Sequence, residues 1–375
     1  MDPSVPPGRL LVARVLGIPV YVHVSWLVIF GLLTWTLATG YFPAASPDLP
    51  ALSYWVKGLV AALLFFLSIL LHEVGHSWVA IRAGIRIRSI TLFIFGGLAQ
   101  MERDPDDGRT EVRIALAGPI VSLLLAVAFL GLGALPFVPA GARSVARYLG
   151  FVNLVLAAFN LVPAFPLDGG RVLRGLLWSR QGKVRATRSA AAAGTFFALL
   201  LIVLGVVQFL SGNGIGGVWS VLVGWFLKDA SAGAYAGARL DETLRGLTVR
   251  DAMIADVATL PAHISVAEAA EEHFLRTGYG GYPVMRGDAV VGLLSLREVL
   301  ALPPDERDHT AVQALMTPLG EPLTIGPDEP LRAAMAKMAE RGASRLLVIE
   351  GDRLIGLLGM SSLLRHVRVR DELRG

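Results

Sequence analysis

The sequence contains no cysteine among its 375 residues. This absence excludes disulfide bonds, thiolate metal ligands and a cysteine nucleophile, so any metal must be held by nitrogen and oxygen atoms. Charged residues are also scarce, at 17% of the chain, whereas a soluble domain carries about 25%. The Lys and Arg residues form no single basic patch, so the formal net charge of +4 does not indicate a nucleic-acid partner.

Hydrophobic residues account for 54% of the sequence, and the long apolar runs all lie before residue 237. A membrane-spanning helix needs about 20 mainly apolar residues. Six segments meet this requirement: residues 20–40, 55–79, 112–135, 145–165, 190–210 and 215–236. We therefore predict a polytopic α-helical membrane protein in which six spans contact the lipid bilayer, followed by a soluble C-terminal region.

Lys and Arg residues are concentrated in alternate connections between the predicted spans. The second and fourth connections are rich in arginine, whereas residues 41–54 and 211–217 contain neither Lys nor Arg. Because cytoplasmic loops carry the excess of positive charge, we predict a multi-pass protein of the cell membrane with both termini in the cytoplasm. Alternatively, the first span is a signal peptide cleaved near Ala44-Ala45-Ser46, although its length and the short following loop favour a span.

The second predicted span contains His72-Glu73-Val74-Gly75-His76, which is the H-E-x-x-H pattern of zinc proteases. Positions i and i+4 of a helix share one face, so both imidazoles can reach the same ion. Glu73 follows the first histidine and can act as a general base toward a water molecule. Ionisable groups at membrane depth each cost about 2.5–3.5 kcal/mol on insertion scales, a cost that metal binding offsets better than helix packing does.

A catalytic zinc site takes three protein ligands and leaves one position open. Asp168 is the best candidate for the third ligand, since it follows a segment with Asn160, Pro163 and Pro166 and precedes two glycines. Prolines break a helix, and glycines allow close approach of the backbone. Two alternatives remain: a helix end at which Asp168 is merely a solvated cap, or a ligand from the charged loop containing Glu102, Asp104, Asp106 and Asp107.

These two motifs together resemble those of the site-2 protease family of intramembrane metalloproteases, over roughly residues 14–236. The resemblance implies one Zn²⁺ per chain, with three metal ligands, one general base and three residues that position substrate or stabilise an oxyanion. In this sequence the ligands would be His72, His76 and Asp168, the base Glu73, and the positioning residues Asn160, Pro163 and Pro166. The implied activity is endopeptidase cleavage of membrane-spanning protein substrates, known as regulated intramembrane proteolysis.

Residues 85–97 begin with alternating polar and apolar side chains and end in Gly96-Gly97, a pattern that predicts strands and a turn. In the site-2 protease family this region forms a small sheet-like, membrane-associated loop near the active site. The resemblance therefore implies that Gly96 and Gly97 contact substrate, and an exposed strand edge can hold an unwound peptide. The alternative is a simple cytoplasmic loop.

The C-terminal region, residues 239–375, is predicted to be a soluble α/β module separate from the membrane domain of residues 1–238. It contains an internal repeat, in which residues 248–303 align with residues 310–368 at an offset of 63–64. The repeats resemble tandem CBS domains, which commonly bind adenine nucleotides. The family's ribose-binding pattern is Ser or Thr followed three residues later by Asp, and here Ser295 and Glu298 are the candidates. Nucleotide binding and homodimerisation through the pair both remain open.

A metal or ion transporter of the membrane, regulated by the CBS pair, is the alternative function. It explains polar groups at membrane depth and the broken fourth span, but it needs no base beside the first histidine. A catalytically inactive scaffold is disfavoured because every expected catalytic position is occupied. All candidate catalytic groups lie between His72 and Asp168, so we expect the CBS pair to modulate the protease rather than to form part of its active site.

Overall fold

The computed structural model describes residues 8–320 and 323–374. The chain divides into two compact units, one up to Ala238 and one from Arg239 onward. The predicted domains extend to residues 1 and 375, and the second predicted repeat includes residues 321–322. Residues 1–7, 321–322 and 375 lie outside the described part of the chain.

The first unit contains a four-stranded sheet with the order β1-β2-β3-β4. Its strands are β1 (Arg9–Val15), β2 (Ile18–His23), β3 (Ile87–Phe93) and β4 (Gly96–Met101). The β3–β4 hairpin lies where alternation predicts strands. The N-terminal hairpin was not predicted. Its turn is Leu16-Gly17, with φ angles of 52° and 79°, which is typical of a two-residue hairpin loop.

Strand β2 corrects the predicted start of the first span, because residues 20–23 are extended rather than helical. Val20, Tyr21 and Val22 pair in parallel with residues 90–92 of β3. Ile18 and Val20 are buried against Ile90 on one face of the sheet. Apolar side chains here serve a sheet core, and their hydrophobicity alone does not distinguish that role from a membrane span.

The helices of the first unit are joined by short loops, except that the β3–β4 hairpin separates the second helix from the third. In chain order they are α1 (Ser25–Ala45), α2 (Ala51–Arg82), α3 (Gly108–Ala134), α4 (Ala140–Asn160), α5 (Asp168–Gln181), α6 (Lys183–Leu210) and α7 (Gly214–Leu244). Helix α4 ends five residues before the predicted fourth span does, because the segment with Pro163 and Pro166 is a loop. Many of the large apolar side chains on α1, α2, α3, α4 and α6 remain exposed, as expected for helices that face lipid.

Within the described residues, α1, α2, α3, α4 and α6 are long and apolar enough to cross a membrane, which makes five helices rather than the six predicted spans. Helix α7 covers the predicted sixth span but is not one of these five. It carries Lys228 and Asp229 in its middle, and their charges lower its apolar character. The helix belongs to both units, since it passes the boundary at Ala238 and ends at Leu244.

The second unit consists of two strand–helix repeats. The first contains α8 (Val249–Ala252), β5 (Leu260–Pro261), α9 (266–277), β6 (Gly281–Arg286), β7 (Ala289–Ser295) and α10 (Leu296–Ala301). The second contains α11 (Val312–Leu315), β8 (Thr317–Pro318), β9 (Thr324–Ile325), α12 (Leu331–Arg341), β10 (Arg345–Glu350), β11 (Arg353–Gly359) and α13 (Met360–Arg374). The described strands form two sheets, with the orders β5-β6-β7-β8 and β11-β10-β9.

Two hydrophobic cores each surround the sheet of one repeat and also take in the short helix of the other: Val249 and Ala252 lie in the core of the second sheet, and Val312 in that of the first. A third cluster joins the two sheets. Val290 and Leu293 of the first repeat pack against Leu347 and Leu357 of the second. Burial of each such side chain stabilises the folded module by roughly 1.5–3 kcal/mol. The two repeats therefore form one module.

Candidate metal centre

Helix α2 holds the two histidines on one face, as their spacing requires. His72 and His76 are 4% and 3% exposed, so both imidazoles are buried beside an otherwise apolar helix. Their Nε2 atoms lie 3.1 Å apart. The Oδ2 atom of Asp168 lies 3.1 Å from Nε2 of His72 and 3.2 Å from Nε2 of His76. The three atoms form a nearly equilateral triangle.

The loop between α4 and α5 brings Asp168 to the histidines. Asp168 is the first residue of α5 and is 8% exposed, so the solvated-cap alternative is wrong. The backbone at Gly169 and Gly170 packs directly against the backbone of the preceding loop. A Cβ atom on Gly169 would collide with the Leu161 and Val162 carbonyls, and one on Gly170 would collide with the backbone at residues 164–165. The glycine pair after the aspartate is thus required by backbone packing.

Both imidazoles are oriented by partners on α3. Nδ1 of His72 lies 2.9 Å from the Ser122 hydroxyl, and Nδ1 of His76 lies 2.7 Å from the carbonyl oxygen of Ile114. A carbonyl only accepts, so Nδ1 of His76 carries a proton, and in the neutral ring Nε2 presents a lone pair. Gly118 lies between these partners. A Cβ atom there would collide with Nε2 of both histidines.

Ser122 and Ile114 were not predicted as orienting groups. One signal was available, because Gly118 and Ser122 are spaced i, i+4 and share a helix face. The carbonyl of Ile114 carries no signal in the sequence, since every residue has a backbone carbonyl. Such partners of metal ligands fix the tautomer and orientation of the ring.

The three converging atoms fit a zinc ion by their chemistry and by their separations. Neutral His76 directs a lone pair at the carboxylate of Asp168, and a cation relieves the repulsion between these two acceptors. Tetrahedral zinc with bonds of about 2.0–2.1 Å separates its ligand atoms by about 3.3 Å, close to the observed 3.1–3.2 Å. Within the described part of the chain, His72, His76 and Asp168 form the group of side chains whose ligand atoms lie close enough together to hold a metal ion.

Glu73 lies beside this triangle without joining it. Its Oε2 atom accepts a hydrogen bond of 3.2 Å from the backbone amide of Ala99 in β4. Gly97 of the same strand packs directly on the Glu73 side chain, where an added Cβ would lie 2.5 Å from Cγ. The edge strand of the sheet therefore fixes the position of the carboxylate.

A cavity of about 710 Å³ opens onto the triangle and onto Glu73. Most of its lining is aliphatic and aromatic, and Asn160, Pro166, Gly96 and Gly97 also contribute to it. Nδ2 of Asn160 donates a 3.0 Å hydrogen bond to the Leu156 carbonyl of its own helix. Pro163 is absent from the described lining. The structure thus brings four of the five predicted substrate residues to one cavity.

Comparisons with known proteins decide the family. The model of peptidase family M50 matches residues 60–139 and 134–204, and the CBS domain model matches residues 249–305 and 312–369. The Mycobacterium tuberculosis protein named zinc metalloprotease Rip3 is 39% identical over 98% of this chain and 94% of its own length. The chain belongs to peptidase family M50. It is a metalloprotease of the site-2 protease type with tandem CBS domains, as its motifs predict.

A second curated relative and one solved structure are also similar to this chain. The Synechocystis protein named zinc metalloprotease sll0528 is 33% identical, and the match covers 96% of this chain and 95% of that protein. The solved structure of a site-2 protease from Methanocaldococcus jannaschii is 29% identical, with a TM-score of 0.45, over 60% of this chain and 95% of that one. Family membership and the apolar helices support a membrane location for the chain.

The acidic loop of this M50 protease does not supply a third ligand. Each of its four carboxylates has a partner outside the triangle: Arg86 for Glu102, Lys183 for Asp104, Arg103 for Asp106 and the first turn of α3 for Asp107. Burial raises the pKa of Asp104, but the hydrogen bond and charge of Lys183, together with the charges of Arg174 and Arg171, hold that pKa below its usual value. These residues serve the fold of the loop.

The predicted nucleotide residues of the M50 chain form a capping box at the start of α10. Oε2 of Glu298 accepts hydrogen bonds from the Ser295 amide at 2.7 Å and from the Ser295 hydroxyl at 2.9 Å. Its Oε1 accepts a hydrogen bond from Thr317. Both carboxylate oxygens are thus occupied by the protein's own donors, and the residue pair has a structural role independent of any ligand.

Proposed function

We propose that this M50 protease is an intramembrane zinc endopeptidase that cleaves membrane-spanning protein substrates. The observation that carries the proposal is the convergence of His72, His76 and Asp168 beside Glu73 at an apolar cavity. In this assignment the first three residues hold one Zn²⁺ per chain and the fourth is the general base. An apolar cavity between lipid-facing helices suits a hydrophobic peptide segment better than a soluble one.

The hydrolysis needs a base, an acid and a polarised carbonyl. Zn²⁺ bound to the triangle would polarise the scissile carbonyl and lower the pKa of water to about 7. Glu73 accepts a proton as the oxygen of water bonds to the carbonyl carbon. It then gives that proton to the amide nitrogen as the C–N bond breaks. Asn160 lines the same cavity, and release of its Nδ2 from the Leu156 carbonyl would let it donate to the oxyanion.

Strand β4 is suited to hold the substrate in an extended form. It is the last strand of its sheet, and the Ala99 amide that reaches Glu73 indicates that its outer edge faces the base. A peptide that pairs with this edge, next to Gly96 and Gly97, would present its backbone to Glu73. Pro166 also lines the cavity, whereas Pro163 would act indirectly, by breaking the helix before Asp168.

The proposed topology has six spans, with α7 as the sixth and both termini in the cytoplasm. It rests on the arginine-rich second and fourth connections. A less apolar span can cross a membrane when its polar groups face protein rather than lipid. Reporter fusions after Ser211 and after Arg239 should lie on opposite sides, and the same side for both would contradict the sixth span.

The tandem CBS domains, residues 239–375, are proposed to be a cytoplasmic module that modulates the protease, with an adenine nucleotide as its candidate ligand. Ser295 and Glu298 are already bonded to each other, so a nucleotide would have to replace those bonds. Arg345 offers a cation for phosphate groups. It is half-buried against Gly280 and Gly281 of the other repeat, and burial lowers its pKa. Homodimerisation through this module is the competing role.

An isothermal titration separates the two roles of the CBS module. Binding of ATP or AMP to the full chain, weakened at least tenfold by Arg345→Gln, would support a nucleotide site. No heat at millimolar nucleotide, together with dimers in light scattering, would leave dimerisation.

The exchange Glu73→Gln tests the protease against the transporter alternative. It removes the base but keeps the shape of the side chain and the metal ligands. We expect full zinc content, measured by metal analysis, and a loss of cleavage of 10²-fold or more. Retained cleavage of a membrane-spanning test substrate would refute the role of Glu73, whereas zinc transport unaffected by the exchange would favour the transporter.

A further inference from the structure

The loop of residues 161–167 determines where Asp168 lies, and few of its contacts are polar. Ala164 and Leu167 are buried against Ala198 of α6 and Leu227 of α7. Apolar packing of this kind is non-directional. Hydrogen bonds to neighbouring helices are directional, so the groups that make them are the ones that can fix the loop within a fraction of an ångström.

Phe165, three residues before Asp168, makes two such hydrogen bonds. Its amide donates to the Ala190 carbonyl of α6 at 3.1 Å. Its carbonyl oxygen accepts from the hydroxyl of Ser231 in α7 at 2.5 Å. Ser231 is fully buried, and the facing position on α6 is Gly194, where a Cβ would collide with the Phe165 carbonyl oxygen. The loop is thus held between two helices through one residue.

We infer that Ser231 is a positioning residue for the metal centre, which holds Asp168 in place through the carbonyl of Phe165. The inference rests on the proposed role of Asp168 as a zinc ligand. Asp168 must reach two histidine nitrogens at 3.1 Å and 3.2 Å at once, so a small shift of the loop breaks the triangle. A buried carbonyl without its donor also loses a hydrogen bond that no water in an apolar environment replaces.

The Ser231 hydroxyl has a second acceptor, so it can give up its hydrogen bond to the loop without being left unpaired. The carbonyl oxygen of Leu227, one turn earlier in α7, lies 2.7 Å from the same Oγ atom. A serine hydroxyl carries a single proton, so the two carbonyls compete for it. If α7 shifts away from the loop, Ser231 keeps a partner within its own helix. Helix α7 also extends to Leu244, which belongs to the core of the second CBS repeat.

The exchange Ser231→Ala in the full-length protein tests the inference by zinc affinity, without reference to catalysis. Loss of an outer-shell partner typically weakens metal binding 10- to 100-fold, and we expect a loss in that range in competition with a chelator. The Co²⁺-substituted protein should show altered d–d absorption, because the geometry of the oxygen ligand changes. Ser231→Thr retains the hydroxyl and should bind zinc more tightly than Ser231→Ala.

The matched control is Thr187→Val. Thr187 is also a fully buried hydroxyl residue, but its Oγ1 bonds only to the Lys183 carbonyl of its own helix among the bonds described. We expect its zinc affinity and Co²⁺ spectrum to equal those of the wild type. Equal zinc affinity and an unchanged spectrum in Ser231→Ala would overturn the inference.

Two further variants keep the test decisive. If Ser231→Ala is not recovered folded, Ser231→Cys provides a weaker donor of similar size, and an unchanged zinc affinity there would likewise contradict the inference. Asp168→Ala, measured in parallel, separates this inference from the proposed function. Retention of zinc in Asp168→Ala would refute the proposed ligand set itself. Loss of zinc in Asp168→Ala but not in Ser231→Ala would refute only the role of Ser231.

Discussion

Two carboxylates of this chain, Asp168 in the first unit and Glu298 in the second, are placed in opposite ways. Both are candidate ligand-binding residues, and both lie within the first turn of a helix. Glu298 accepts three hydrogen bonds from Ser295 and Thr317. Asp168 directs Oδ2 at Nε2 of two histidines, one of which presents a lone pair when neutral.

The fold of the second unit supplies hydrogen-bond donors to Glu298, whereas the fold of the first unit leaves Asp168 available for a ligand. Buried polar groups are nearly always hydrogen-bonded in native proteins. A buried site in which the lone pair of neutral His76 faces the Asp168 carboxylate therefore favours an external cation between them. The capping box in the CBS unit needs no such partner, and its residues contribute to stability whether or not a nucleotide binds. Substitutions in the two units test this contrast.

The largest difference is expected between Asp168→Ala and Glu298→Gln. Asp168→Ala should lose zinc, measured by metal analysis of the purified protein, and with it all detectable cleavage. Glu298→Gln should keep both and lower the stability of the second unit by roughly 0.5–2 kcal/mol, the usual cost of a lost cap. Equal effects of the two exchanges on cleavage would remove the distinction between the two units.

The next largest effect is expected from disturbing the contact between Gly97 and Glu73. In Gly97→Ala the new Cβ would lie 2.5 Å from Cγ of Glu73, so the base must move while the metal ligands stay. We expect kcat to fall about 10- to 100-fold, since a misplacement of about 1 Å can cost 10²-fold, with zinc content unchanged. The control is Gly131→Ala, because nothing lies within 4 Å of a Cβ there. A fall in zinc content would place Gly97 in the metal centre instead.

Truncation after Ala238 should have a smaller effect, which concerns regulation. The zinc triangle and Glu73 lie wholly in the first unit, so zinc binding and cleavage of a test substrate should persist. The rate should change by about fivefold, the lower end of the usual range of coupling between sites. A folded, zinc-loaded but inactive truncation would show that the CBS module is required for catalysis.

The smallest effect is a pH dependence confined to the second unit. The hydrogen bond from the Thr248 backbone amide lowers the pKa of Asp251 from its ordinary value of 3.8. This capping box therefore stabilises the unit at pH values above 3.8, and the contribution is lost as pH falls through the lowered pKa of the folded state. Asp251→Asn should flatten the acid side of the stability curve, measured by thermal unfolding of residues 239–375. An identical curve for the variant would contradict this account.

The sequence by itself predicted the metal centre of the first unit and the internal repeat of the second. The spacing of His72 and His76, the glycine pair after Asp168 and the repeat in residues 248–368 each depend on local periodicity or on an unusual local composition. Such features are visible in a single sequence because helix geometry relates i to i+4, and because a repeated unit resembles its copy. The family resemblance followed from these local patterns.

Only the tertiary structure decided which groups surround those residues. Ser122, the Ile114 carbonyl and Ser231 are ordinary in sequence, and they act because α3 and α7 pack beside the site. Strand β2 shows the same limit, since an apolar run forms a sheet or a span according to what lies beside it. Contacts between distant segments depend on the packing of whole helices, and no local pattern of side chains encodes that packing.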